Sequence, residues 1–358
     1  YLTKLLIHDS QFKKIYSKYK GSYLVQSETQ YFPLRVSMQR ALINQIKVIS
    51  RSGRKNIGIK IYRKVSEGYE NRNKISNDIF RKILLRLNKK YKGNNFKKFI
   101  KRKTNINIGR DVYQYSKNKT QLKLFRNKYE LSKYFNFANK PIILILAHEY
   151  TDGNLANSWN LYNNDMFWLE DTLDKIKTID NVNWIIKSHP SEKIYNAKIN
   201  TKKIFLSKIT DQKHIGLFPE NYDVVNIHKY IKAAISSHGT AGYEYPLYSI
   251  PTIICGDTNY SGLGFNYEPR TKKEYYKLLR NINKLKKNNL IKTYKSWIFN
   301  LIFNYVRREK IPFINETMSI KSSFDQKKFW KVYFDELNKN KNNYQLDNFK
   351  KSLTFNLI

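Results

Sequence analysis

Lys187, Ser188, His189 and Pro190 close the short apolar run 184–186, WII. A cation, an imidazole and a proline at the tip of a strand-like run are the parts of an anion site. Two residues apart in extended chain, Lys187 and His189 are expected on the same side, and Pro190 stops the strand behind them. A second stretch, AISSHGTAGYEYPLY from residue 234 to 248, supplies the matching wall. Its pattern predicts a strand, then Ser236, Ser237, His238, Gly239 and Thr240, then a helix starting near Thr240. Free N–H groups and the macrodipole at a helix start favour a negative ligand. Gly239 permits a tight turn and close approach. The hydroxyls of Ser236, Ser237 and Thr240 add donors, and Glu244, one turn further on, is placed to accept from a ribose. Thr240 serving as a plain helix cap is compatible with both roles.

Two further loops follow apolar runs. AHEYTDGN, residues 147–154, carries Glu149 and Asp152, either of which is a candidate general base or acceptor-orienting carboxylate. Read plainly, Asp152-Gly153 is a tight turn. CGDTNYSGLGF, residues 255–265, carries Asp257, Tyr260 and two glycines, a loop suited to lie against a ligand. GLGF lacks the spacing of a dinucleotide fingerprint, and neither a Walker A sequence nor a zinc-binding HExxH occurs. No metal and no cofactor are expected. His8, His214 and His228 read as ordinary surface or core residues.

Elements that would hold these loops are visible in the hydropathy pattern. PIILILAH, 141–148, is a near-continuous apolar run of the kind buried on both faces of a parallel sheet. VNWIIKSH (182–189), AISSHG (234–239) and PTIICGD (251–257) are predicted strands. FWLEDTLDKIKTI (167–179), NIHKYIKAA (226–234) and TAGYEYPLYS (240–249) are predicted helices, and KIFLSK (203–208) is a further apolar run between them. Strands alternating with helices predict βαβ units, and the ligand is expected at the strands' carboxyl ends. Upstream, KLLIHDS (4–10) reads as a strand already under way, so residues before Tyr1 are expected to be missing. QFKKIYSKYK (11–20), SMQRALINQIKVIS (37–50) and the stretch 75–93 read as helices, and NIGIKIY (56–62) as a strand. Residues 94–120 are basic and turn-rich, and 271–310 and 324–340 read as basic helices.

The chain has 358 residues, 41% hydrophobic, which suits two domains. Its formal charge is +39, from 67 Lys and Arg against 28 Asp and Glu. Such a field attracts polyanions: nucleic acid, anionic headgroups or phosphorylated small molecules. Many of the lysines are equally consistent with a solvated surface in a sequence rich in Lys, Asn, Ile and Tyr. Nucleic-acid binding is disfavoured by the lack of an RNP1-like run, a zinc-finger spacing or a continuous basic recognition helix. The single cysteine, Cys255, excludes an internal disulfide and fits a cytoplasmic setting. No run of about 18 apolar residues is present.

In their order, AHEYTDGN, FWLEDTLDKI, NVNWIIKSHPS and AISSHGTAGYEYPLYSIPTIICGDTNYSGLGF resemble the bacterial capsule polysaccharide biosynthesis glycosyltransferases, GT-B enzymes related to Kdo transferases. The His189-Pro190 pair and the Ser236-Ser237 pair are similar to the HP and SS motifs of bacterial sialyltransferases and polysialyltransferases, which use CMP-sugars. TDG (151–153) is similar to their acidic-Gly motif, although in those enzymes that motif lies in the N-terminal domain. The resemblance spans about residues 138–268. It implies an α/β, GT-B-like fold: two Rossmann-type doubly wound domains facing a cleft, with C-terminal helices crossing back. The implied divisions are an acceptor-side domain (1–137), a donor domain (138–310) and a helical tail (311–358). It implies a metal-independent glycosyltransferase using a nucleotide-activated sugar, CMP-linked such as CMP-Kdo, on a capsule or surface glycan, free or lipid-linked. His189, Ser236, Ser237 and Thr240 would hold the nucleotide phosphate, with Lys187, Gly239 and Tyr260 beside them. Glu244 would take the ribose. Asp152, with Glu149, would be the base, and His189 would share in catalysis. A basic face would dock on the anionic inner face of the cell membrane. A polyol-phosphate transferase of the teichoic acid type shares the architecture and is the alternative.

Overall fold

The computed structural model describes residues 2–26, 29, 31–52, 56–69, 74–90, 122–150, 159–192, 199–224, 226–302 and 309–310. The chain is a mixed α/β protein in two compact units, Tyr1–Asn73 with Ile302–Ile358, and Lys74–Leu301.

In the first unit, helix α1 (Leu2–Tyr16) replaces the strand expected over 4–10. Its half-buried residues Leu5, His8, Asp9, Phe12 and Tyr16 recur at helical spacing. Asp9 pairs with Arg40, and the Tyr16 hydroxyl lies 2.6 Å from that of Ser37. Strand β1 (Tyr23–Gln26) is followed by α2 (Leu34–Ile43), β2 (Lys47–Ser52) and β3 (Asn56–Tyr62). The single helix expected over 37–50 is therefore a helix and a strand. Between them Gln45 turns the chain at φ 63°, and the β-branched pair Val48-Ile49 continues as sheet. β1 and β2 pair in parallel, while β3 is antiparallel to β2 and to the two-residue strand Glu309–Lys310. The C-terminal chain thus returns to this unit. Among the described residues its sheet is mixed, where a doubly wound parallel sheet was expected.

The second unit begins with α3 (Asn77–Lys90) and α4 (Lys128–Tyr134) and is built on a five-stranded parallel sheet. In chain order its elements are β4 (Ile142–Leu146), α5 (Asp165–Ile176), β5 (Asn183–Lys187), α6 (Thr201–Lys208), β6 (Ile215–Leu217), β7 (Ile231–Ser236), α7 (Ala241–Glu244), β8 (Thr252–Ile254), α8 (Lys272–Arg280) and α9 (Leu290–Leu301). The sheet order is β6-β5-β4-β7-β8, so the direction of winding reverses between β4 and β7. Alternate residues feed opposite faces. Ile143, Ile145, Trp184, Ile186, Ala233 and Ile235 pack with Trp168 and Leu173 of α5. Ile142, Leu144, Ile185 and Ala234 pack with Phe125, Leu131 and Tyr245 on the other side. Phe125 and Leu131 explain why the expected boundary at 137/138 falls inside this unit: the segment before β4 covers one face of the sheet.

The stretch 203–208 is helical because Asn200 caps α6, its side chain accepting from the Lys203 N–H at 2.9 Å. The strand following it is 215–217, which the sequence reading passed over. Of the helix expected over 226–234 only a 3-10 turn, Ile227–Lys229, forms before β7 starts. Residues 94–120 and 324–340 lie outside the described residues. No helix among the described residues is long and apolar enough to cross a membrane.

Candidate functional site

Three histidines meet at the carboxyl ends of three neighbouring strands. His148 follows β4, His189 follows β5 and His238 follows β7. The His148 ring centre lies 5.6 Å from that of His189 and 5.4 Å, edge-on, from that of His238. This is the point where the sheet order reverses, the place where open α/β sheets bind ligands.

Beneath the histidines is Asp165, a buried first-turn residue of α5. Asn164 caps that helix, its side chain accepting from the Phe167 N–H at 2.8 Å. Backbone pairing brings the chain there: the Asp257 N–H donates to the Trp159 carbonyl at 2.8 Å and the Leu161 N–H to the Cys255 carbonyl at 2.9 Å. His238 Nε2–H donates to Asp165 Oδ1 at 3.0 Å, and His148 Nδ1 lies 3.5 Å from Oδ2. Burial alone would raise the Asp165 carboxyl. The His238 hydrogen bond and the charges of His238 and His148 hold it instead at about 2.

His189 is fixed by its own turn. Its ring Nδ1 accepts the Ser191 N–H at 3.2 Å. Its backbone N–H donates to Glu192 Oε1 at 3.3 Å, and Glu192 also accepts from the Thr201 N–H at 3.1 Å and the Thr201 hydroxyl. The Tyr150 hydroxyl, 2.9 Å from Thr201 Oγ1, ties in the loop after β4. Burial, then the nearby His148 and Lys187, push the His189 imidazole down to about 3, with Asp165 acting weakly the other way. His189 is therefore neutral at physiological pH.

That shift has a sign in stability. Below about pH 6.5 the unfolded chain binds a proton at His189 that the folded chain refuses, so acidification destabilises the fold down to about pH 3. The slope is at most about 1.4 kcal/mol per pH unit, or about 2 kcal/mol between pH 6.5 and 5. Asp165, held low, adds no slope until about pH 4 and below. Urea unfolding of the wild type across this range is expected to show the loss. His189→Asn is expected to reduce it, and an unchanged slope in that variant would contradict the assignment.

The other residues singled out in the sequence take varied places. Gly239 is exposed at φ 91°, a conformation glycine adopts without strain. Thr240 is exposed beside it, and its side chain makes no capping bond to α7. That helix has only four residues before continuing as the 3-10 turn Tyr245–Tyr248, shorter than expected, and the Glu244 N–H already donates to the Thr240 carbonyl. Ser237 is buried against Asp165. Ser236 is a brace: its hydroxyl reaches the Leu146 carbonyl at 3.0 Å and the His238 carbonyl at 2.7 Å. Tyr260 is buried too, its hydroxyl donating to the Gly239 carbonyl at 2.6 Å and taking the Gly242 N–H, so it stands behind the loop and holds it.

Lys187 and His189 diverge, because β5 ends at Lys187 and its alternation goes no further. The Lys187 ammonium donates to the Ser188 carbonyl at 3.2 Å and lies over Phe218, just past β6, while His189 turns toward β4. Glu149 is fully buried, away from any acceptor in solution. Asp152 lies outside the described residues. In the loop after β8, Asp257 pairs with Lys74 at 3.1 Å. Among the described residues, no group of three or more His, Cys, Asp or Glu is placed to hold a metal ion.

His189 and the Ser237–Gly239 turn, singled out in the sequence, thus lie beside His148, His238 and Asp165, whose mutual contacts the sequence does not indicate. The only signal for Asp165 was an acidic residue after an asparagine cap, which a helix start explains by itself.

No protein-family model matches this chain, and no curated protein matches it. Among solved structures it is similar to the beta Kdo 2,4 transferase KpsC of Thermosulfurimonas dismutans at 10% identity, over 76% of this chain and 78% of that one, with a TM-score of 0.39. For the beta Kdo 2,7 transferase KpsC of the same organism the values are 12%, 79%, 78% and 0.39. For the S. aureus MnaA–UDP co-structure they are 12%, 85%, 81% and 0.32. All three are distant likenesses.

Proposed function

We propose that this chain is a metal-independent glycosyltransferase of GT-B type. It takes a sugar from a nucleotide-activated donor, CMP-linked in the leading reading, and adds it to a capsule or surface glycan at the inner face of the cell membrane. The observation that carries the reading is the convergence of His148, His189 and His238 at the carboxyl ends of β4, β5 and β7, beside the exposed turn at Gly239. The His189 Nε2–H and a glycine backbone can hold the phosphate of a departing nucleotide where a metal-dependent enzyme would use a cation. The HP and SS resemblances point the same way, and the charge of +39 suits an anionic donor and an anionic membrane. Glu244 is the proposed ribose contact, and Asp152 remains a proposed acceptor-side carboxylate.

Thermal unfolding with CMP-Kdo, CDP-glycerol and UDP-N-acetylglucosamine tests this. A ligand at 100 times its Kd stabilises by about 2.7 kcal/mol, a rise of about 5 to 10 °C for a unit of this size. A rise with CMP-Kdo supports the leading reading, and one with CDP-glycerol alone supports the polyol-phosphate alternative. No shift with any nucleotide at millimolar concentration contradicts both.

A further inference from the structure

The two histidines at the β4 and β5 tips are held by backbone groups that cannot exchange roles. His148 Nδ1 lies 3.0 Å from the Glu149 carbonyl oxygen. A carbonyl only accepts, so that nitrogen carries the proton, and a neutral imidazole has just one. Nε2 of His148 is then an unprotonated lone pair. His189 is the reverse: its Nδ1 accepts the Ser191 N–H at 3.2 Å, and an amide N–H only donates, so the ring proton is on Nε2.

We propose that His148 and His189 divide the transfer step through these opposite tautomers, His148 taking the proton of the acceptor hydroxyl at Nε2 and His189 donating its Nε2–H to the departing phosphate. The proposal rests on the donor-site reading above and assigns within it a base that the sequence did not single out. Surroundings fit each role. On the Nδ1 side of His148 lies Asp165 Oδ2, ready to face the imidazolium that forms when Nε2 takes a proton. The opposite edge is directed to the exposed turn, since a Cβ built on Gly239 would sit 3.8 Å from His148 Cδ2, the carbon bonded to Nε2. His189 and His238 are the other titratable groups beside His148, and Lys187 stands next to His189. Burial keeps His189 neutral, so its N–H stays a donor over the whole working pH range.

The step balances. The acceptor oxygen loses its proton to His148 and bonds to the sugar's anomeric carbon. The bond from that carbon to the phosphate oxygen breaks, and its electron pair leaves on the nucleotide, stabilised by the His189 N–H. His148 then returns the proton to solvent.

Two measurements on the full chain test the division. In the first, long-range ¹H–¹⁵N correlation spectra of histidine-labelled protein, assigned with His148→Asn and His189→Asn, read the tautomers directly. His148 is expected to be protonated at Nδ1 and His189 at Nε2; any other pairing overturns the proposal. In the second, nucleotide release is followed from CMP-Kdo, CDP-glycerol and UDP-N-acetylglucosamine. His148→Asn is expected to lower kcat about 10²- to 10⁴-fold with donor KM nearly unchanged, to lose the acidic limb of the pH profile, and to regain part of its rate with added imidazole. His189→Asn is expected to raise donor KM. If the wild type releases nucleotide and His148→Asn keeps its rate and pH profile, the division fails while the donor site stands. If the wild type neither binds nor turns over any of the three donors, the donor site itself fails.

Discussion

Replacing Asp165 by asparagine is expected to cut nucleotide release by about 100-fold or more, with donor KM little changed. Asp165 does not face the substrate. It is a positioning residue whose two carboxylate oxygens serve two histidines, Oδ1 accepting from His238 and Oδ2 facing the Nδ1–H of His148. An asparagine keeps one acceptor and turns its amide N–H toward the other partner. The Glu149 carbonyl still holds the Nδ1 proton, but the imidazolium that forms when Nε2 takes a proton now faces an amide N–H in place of a carboxylate. A base disabled in this way loses the 10²- to 10⁴-fold that positioned proton transfer supplies. The fold is expected to survive, because the asparagine is nearly isosteric. A rate within about threefold of wild type in a folded Asp165→Asn protein, together with an unshifted pH profile, would remove the orienting role.

A second large effect is expected at a residue with no side chain of its own. Gly256 follows β8, and a Cβ built on it would lie 2.1 Å from His238 Cε1 and 2.4 Å from Nδ1. These contacts are shorter than any real packing distance, so Gly256→Ala has to move the imidazole or the strand end. Overpacking of this kind costs about 1 to 3 kcal/mol, measured by urea unfolding. Turnover is expected to fall as well, because a displaced His238 releases Oδ1 of Asp165. Since both changes act through the same histidine, the double variant Asp165→Asn/Gly256→Ala is expected to be little slower than the worse single one. Losses that multiply would show that Gly256 and Asp165 act on different things.

Much of the second unit was legible in the sequence. The unbroken, isoleucine-rich apolar runs at 142–146 and 184–186 suit strands buried on both faces, and FWLEDTLDKI carries its apolar residues at helical spacing. The first unit was harder. KLLIHDS has an apolar triplet that suits a strand, but its neighbours Phe12 and Tyr16 continue a helical stripe against α2, and packing settled the choice. The stretch 37–50 hid a strand because its break is a lone left-handed Gln45, a position where glycine or asparagine would have announced the turn. In the site, the HP and SHG stretches stand out because charge and glycine at strand tips have few structural uses. Asp165 could not be read that way. Its partners lie 17 and 73 residues away, at His148 and His238, and only the sheet order puts all three together.

The most direct measurement is a crystal structure of the full chain grown with millimolar CMP. A nucleotide is expected at the carboxyl edge of the parallel sheet, its phosphate in hydrogen-bond reach of His189 Nε2 and over the turn at Gly239, with the ribose toward Glu244. An empty edge under those conditions, or a nucleotide bound away from His148, His189 and His238, would contradict the proposed donor site.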